Sequence, residues 1–167
     1  MCYNIYCIMI RVIGIDPGLQ VAGYGVIEIT ANRLIAIGGG IIKPAAKELP
    51  TRLVEIHDGL LEVLKEYSPQ VAAVEDLYST YKHPKTAVLM GHARGTAIYT
   101  LAEANVRIYN YTPTEVKSAV AGYGRASKEQ VMAMVIRMLG LAEPPKYDHV
   151  SDAFAMAICH INREKGF

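Results

Sequence analysis

Three short apolar runs crowd into the first quarter of the chain, at residues 10–15 (IRVIGI), 22–29 (AGYGVIEI) and 33–42 (RLIAIGGGII), with no helix-length segment between them. No other feature constrains the fold as much. Runs this short, joined by links such as the turn at Pro17-Gly18, suit strands that double back on one another as an antiparallel meander. The glycines of the third run allow a bulge or close packing. After residue 42 the pattern changes. Leu53, Ile56, Leu60, Leu61 and Leu64 recur on one face of a helix over 50–67, with Pro50 tolerated in its first turn. Ser68-Pro69 stops that helix. VAAVE (71–75) reads as a buried strand, 84–104 as a long helix with Pro84 near its start, and VRIYNY (106–111) as another strand. Helices follow at about 113–121, 127–139 and 149–162, separated by Gly122 to Gly124 and by Glu143-Pro144-Pro145. Strand–helix alternation after a meander predicts an α/β fold, a five-stranded mixed sheet flanked by helices on both faces.

The 167 residues carry no repeat, low-complexity tract or linker, and their length suits a single domain, 1–167, with its own core. An apolar content of 51% excludes a disordered chain. Seventeen Lys and Arg against sixteen Asp and Glu neither demand nor exclude a nucleic-acid partner, so the distribution of charge has to decide. Cys2, Cys7 and Cys159 form no CxxC pair, which argues against a disulfide framework and a thiolate zinc site and suits a reducing cytoplasm. The opening MCYNIYCIMIRV has no basic residue before Arg11 and no small-residue cleavage site, so it is not read as a signal peptide. No apolar run reaches the roughly 18 residues needed to span a bilayer, and a cytoplasmic protein without membrane contact is expected. Met9 directly precedes the first strand, so residues 1–8 read as an extension ahead of the domain.

Several acids stand at the ends of these elements. Asp16 closes the first strand and Glu75 closes VAAVE. A carboxylate at the end of a buried strand is costly unless something compensates its charge. If the two strands are parallel neighbours, ~4.8 Å apart, both acids emerge at one sheet edge, and a divalent cation is the usual remedy for their repulsion. Hard oxygen ligands suit Mg²⁺. A further donor comes from YDHVSDAFAMAICH. Asp152 opens a strongly apolar helix, with Asp148 four residues before it and His149 three before it. Both spacings share a helix face with Asp152, and spacing alone does not choose between them. Each acid also has a plain structural reading: Asp16 as a turn residue, Glu75 as a surface strand end, Asp148 as a helix cap and Asp152 as an answer to the helix dipole. Their joint occurrence is what favours a metal site.

Two groups of cations and one stripe of small residues complete the inventory. Tyr78 and Tyr81 alternate with Lys82, His83 and Lys85, mixing base-stacking faces with phosphate-neutralising charge. Lys117, Arg125 and Lys128 form a second basic group. Ala87, Gly91 and Gly95 recur every four residues in the long helix, where a second helix could approach closely.

Four blocks in this order, GIDPGLQVAGYGVI, AAVEDLYSTYKHPKTAVLMGHARG, YTPTEVKSAVAGYGRASKEQV and HVSDAFAMAICH, resemble the successive signatures of the RuvC family of bacterial Holliday-junction resolvases. The resemblance covers about residues 9–162. GIDPG by itself is shared with sugar kinases and other ATPases; the four blocks together are specific. The resemblance implies a ribonuclease H-like fold and a homodimeric, Mg²⁺-dependent endonuclease that resolves Holliday junctions in recombination and repair by paired symmetric nicks. It implies Asp16, Glu75, His149 and Asp152 as catalytic metal ligands for two ions, with Mn²⁺ able to substitute, and leaves Asp148 one residue out of register as the helix cap. It further implies Tyr78 as a wedge stacking on a base, Lys82, Lys85, Lys117, Arg125 and Lys128 as DNA contacts, Ala87, Gly91 and Gly95 at the dimer interface, and a RuvA–RuvB branch-migration complex as partner. The alternatives are a ribonuclease H-like nuclease for other branched nucleic acids and a non-cleaving junction-binding module. A sugar-kinase-like ATPase would need a second phosphate loop and a longer chain.

Overall fold

In the computed structural model, which describes residues 10–30, 33–76 and 84–164, three strands come first: β1 (Ile10–Asp16), β2 (Ala22–Ile29) and β3 (Leu34–Ile42). They are followed by α1 (Leu49–Tyr67), β4 (Val71–Glu75), α2 (Pro84–Glu103), β5 (Arg107–Tyr111), α3 (Pro113–Ala121), α4 (Lys128–Leu139) and α5 (Asp148–Arg163). Each element ends within two residues of the expected position. The sheet order is β3-β2-β1-β4-β5. β2 runs antiparallel to both β1 and β3, as a meander must, and β4 lies parallel to both β1 and β5. Parallel neighbours need a crossover, which α1 and α2 supply. The expected mixed five-stranded sheet is therefore present.

Period-two alternation along the central strands divides the interior into two cores. Val12 of β1 and Val71 and Ala73 of β4 pack with α3, α4 and α5 through Val116, Val135, Phe154 and Ile158. Ile13 and Ile15 of β1, with Ala72 and Val74 of β4, pack with α1 and α2 through Leu60, Leu64, Ala97 and Leu101. Helices thus cover both faces. Cys159 is a free, buried thiol inside α5; Cys2 and Cys7 lie outside the described residues.

α5 lies unusually close to the sheet, and glycine makes that approach feasible. A Cβ on Gly14 would sit 1.8 Å from the Ala153 carbonyl oxygen, and one on Gly23 would sit 2.2 Å from that of His149. Both strand positions are backbone-to-backbone contacts that no other side chain fits. At the other end of the site, α4 starts sharply. Ser127 accepts from the Gln130 backbone N–H while the Gln130 side chain takes the Ser127 N–H, a capping box. This fixes the first helical residue, Lys128, in place. No helix among the described residues is long and apolar enough to cross a membrane.

Candidate active site

The alternation that builds the two cores also aims the acids. Counting by twos from Val12 through Gly14 puts Asp16 on the α5 face of β1; counting from Val71 through Ala73 puts Glu75 on the same face of β4. The parallel register pairs Ile15 with Val74, so its next step sets Asp16 beside Glu75. α5 then brings its first two turns over this edge, carrying His149 and Asp152.

The side chains meet as follows. His149 Nδ1 lies 2.7 Å from Asp16 Oδ2. An ionised carboxylate can only accept, so Nδ1–H donates; in the neutral imidazole that tautomer places the lone pair on Nε2. Lys128 Nζ donates to Asp152 Oδ2 at 3.1 Å. Asp16 is largely buried, whereas His149 is half exposed. Burial is the main reason why the Asp16 carboxyl is pushed above its ordinary value; the hydrogen bond from His149 opposes it and the nearby Asp152 charge adds to it. Burial again leads for Glu75, followed by the charges of Asp16 and Asp152, and its carboxyl is pushed up to about 7. Lys128 is held above its ordinary value by its bond to Asp152. The edge is thus a patch of crowded, partly desolvated negative charge.

Asp148 does not cap α5. The N-cap is Tyr147, which makes no side-chain capping bond, and Asp148 is the first helical residue. It is exposed in the first turn, where it meets the positive end of the helix dipole. The capping expectation for Asp148 is therefore corrected, while His149 is the residue that reaches Asp16.

The basic residues sort less tightly. Lys128 belongs to the site. Lys117 on α3 is half-buried, Arg125 is exposed two residues before the α4 cap, and neither is ion-paired with a described residue. Lys85 is exposed at the start of α2. Tyr78 and Lys82 lie outside the described residues. On α2, Ala87 and Gly91 are half-buried and Gly95 is exposed, with open space where its Cβ would be.

One residue escaped the sequence reading. Arg94 of α2 donates from Nε to the Glu75 carbonyl oxygen at 2.9 Å and from Nη2 to Asn110 Oδ1 at 2.7 Å, and it pairs with Asp76 at 3.1 Å. Its only mark in the sequence is its place in the HARG end of the second block.

A family model described as crossover junction endodeoxyribonuclease RuvC matches residues 12–160. The chain belongs to the RuvC family. RuvC from Burkholderia thailandensis is 44% identical to it over 150 residues, which is 90% of this chain and 82% of the relative. Among solved structures, Thermus thermophilus RuvC in complex with Holliday junction substrate matches with a TM-score of 0.87 at 36% identity, over 94% of this chain and 96% of that one. The yeast mitochondrial Holliday junction resolvase shares the fold, with a TM-score of 0.67 at 16% identity over 92% of this chain and 78% of that one. The fold is thus that of RuvC and the ribonuclease H-like resolvases. RuvC nucleases are metal-dependent hydrolases. Among the described residues, no three His, Cys, Asp or Glu side chains form a ready metal cage; Asp16 and Asp152 are paired with His149 and Lys128 instead. The donor set nevertheless fits a hard divalent cation. It offers carboxylate oxygens, and its crowded charge is the kind a dication relieves.

Proposed function

We propose that this RuvC-family chain resolves Holliday junctions by paired symmetric nicks, with Asp16, Glu75, His149 and Asp152 holding two Mg²⁺ ions. The observation that carries this reading is the convergence of two strand ends and one helix start on a single charged edge. Divalent cations bound there supply Lewis-acid polarisation of the scissile phosphate and charge for the departing oxygen. Carboxylate ligands with one imidazole also suit Mn²⁺ as a substitute.

The chain's own groups account for the rest. A water attacks phosphorus in line with the 3′ oxygen; the P–O3′ bond breaks, leaving a 5′-phosphate and a 3′-hydroxyl. Asp16 holds His149 Nδ1 and orients the ring, which leaves Nε2 as the one atom of this side chain that either ligates a metal ion or takes the water's proton. Lys128, largely exposed while bonded to Asp152, is placed to neutralise a phosphate oxygen. Lys85, Lys117 and Arg125 extend the phosphate-contacting surface, and Tyr78 and Lys82 are assigned to it from the family pattern.

A homodimer fits a near two-fold junction, because two sites then meet two strands. The α1–α2 face supports it: Val54, Val88 and Tyr99 are exposed there around the open Gly95 position. Ala87, Gly91 and Gly95 are assigned to this contact. Action on chromosomal junctions implies the cytoplasm and a branch-migration motor such as RuvA–RuvB as partner.

The test separates binding from chemistry. Asp152→Asn, nearly isosteric, should retain junction affinity in gel shifts while losing Mg²⁺-dependent cleavage. Cleavage at the wild-type rate by that variant would refute the assignment.

A further inference from the structure

We infer that Arg94 is a positioning residue for the catalytic edge, standing in for a backbone donor that Pro17 cannot provide. The inference rests on the proposed assignment of Glu75 as a metal ligand.

The sheet ladder leaves one acceptor at the end of β4 without a backbone partner. Asp76 N donates to Tyr111 O, and Arg107 N donates to Gln70 O. Even-numbered residues of β4 therefore bond toward β5, and odd-numbered ones, Glu75 included, toward β1. In the β1–β4 register, the N–H that would meet the Glu75 carbonyl belongs to the residue after Asp16. That residue is Pro17, which has no N–H. The last carbonyl of β4 is thereby cut off from its ladder partner, a costly position for a partly buried acceptor.

Arg94 Nε fills the gap at 2.9 Å. The guanidinium is itself braced by Asn110 Oδ1 at 2.7 Å and Asp76 Oδ1 at 3.1 Å, and its side chain is only 17% exposed. It arrives from the α2 face of the sheet, whereas the Glu75 side chain leaves on the α5 face. One residue's backbone is thus gripped from one side while its carboxylate works on the other. A charge-assisted bond to the Glu75 carbonyl sets the φ and ψ that aim that carboxylate at Asp16 and Asp152. The same bond ties the edge to α2, the helix assigned to the dimer contact.

The test uses the full chain with Arg94→Ala and Arg94→Lys, with Asn110→Ala as a milder disturbance. Three quantities are read for each: the rise in melting temperature on titrating Mg²⁺ without DNA, the Mg²⁺ concentration for half-maximal junction cleavage, and junction affinity in EDTA. Arg94→Ala should raise the half-saturating Mg²⁺ about tenfold or more and shrink the Mg²⁺-induced melting shift, with affinity in EDTA unchanged. Arg94→Lys should restore part of the loss, and Asn110→Ala should move in the same direction by less. If Arg94→Ala does not fold, the Lys and Asn110 variants carry the decision. Wild-type Mg²⁺ dependence in all three, or a general loss of stability and DNA affinity without a shift in Mg²⁺ dependence, would overturn the inference. A wild-type chain that gains no stability from Mg²⁺ and cuts no junction would instead bring down the underlying assignment of the metal site.

Discussion

The residues of the proposed catalytic edge are held by opposing pulls. Glu75 would shed its repulsion by keeping a proton, and burial pushes it that way, from the ordinary 4.5 up to about 7. Between those values the folded chain binds a proton that the unfolded chain has released, so stability falls as pH rises through that window. Urea midpoints of metal-free protein should therefore decline from about pH 5 to about pH 8. Glu75→Gln should flatten the decline and Mg²⁺ should offset it; an equally steep decline in the Gln variant would contradict this origin. His149 and Asp148 give a second contrast. His149→Ala should cut cleavage about a hundredfold or more, the scale of a lost general base, with junction binding retained. Asp148→Ala should cost less than about 1 kcal/mol of stability through the helix dipole and leave cleavage near normal. The reverse pattern in paired cleavage and urea assays would show that the site uses Asp148. Sequence left this pair open for a physical reason. α5 begins after Tyr147, which has no capping side chain, so the helix start carried no signal and the nearest cap-type residue was Asp148.

At the scale of elements, the site depends on how closely α5 rides over the sheet. Gly14 and Gly23 set that distance, and their substitution separates fold from function. A Cβ at Gly14 collides with backbone at Ala153 in mid-helix, so Gly14→Ala should cost about 1–3 kcal/mol or more as an overpacked core. A Cβ at Gly23 meets the backbone and Cβ of His149. Gly23→Ala should displace the first turn of α5 and reduce cleavage more than it reduces the melting temperature. Unchanged cleavage in Gly23→Ala would mean that His149 is not held by this contact. The strands and helices were legible because each has a distinct period and clear breakers, and the strand-end acids were legible because alternation fixes their face once the strands are known. Nothing in the sequence singled out the two glycines, since their partners lie more than a hundred residues away in α5. Arg94 escaped notice, because the role proposed for it depends on a donor missing from Pro17 in another strand.

In the whole molecule, the charged sheet edge and the proposed small-residue dimer face of α2 belong to one RuvC-family chain. Two copies would present two such edges to a junction, each cutting one of a pair of symmetry-related strands. Neither edge needs strong overall basicity, which agrees with a net charge of only +1; phosphate contact would be concentrated where Lys128 and its neighbours stand. The most direct test labels each strand of a synthetic four-way junction in turn and maps the cuts with Mg²⁺ or EDTA, beside a linear duplex of matched sequence. Paired resolution at this edge predicts Mg²⁺-dependent nicks at symmetry-related positions on two opposed strands, absent from the duplex and absent with Asp16→Asn. Equal cutting of the duplex, or the same nicks from Asp16→Asn, would contradict it.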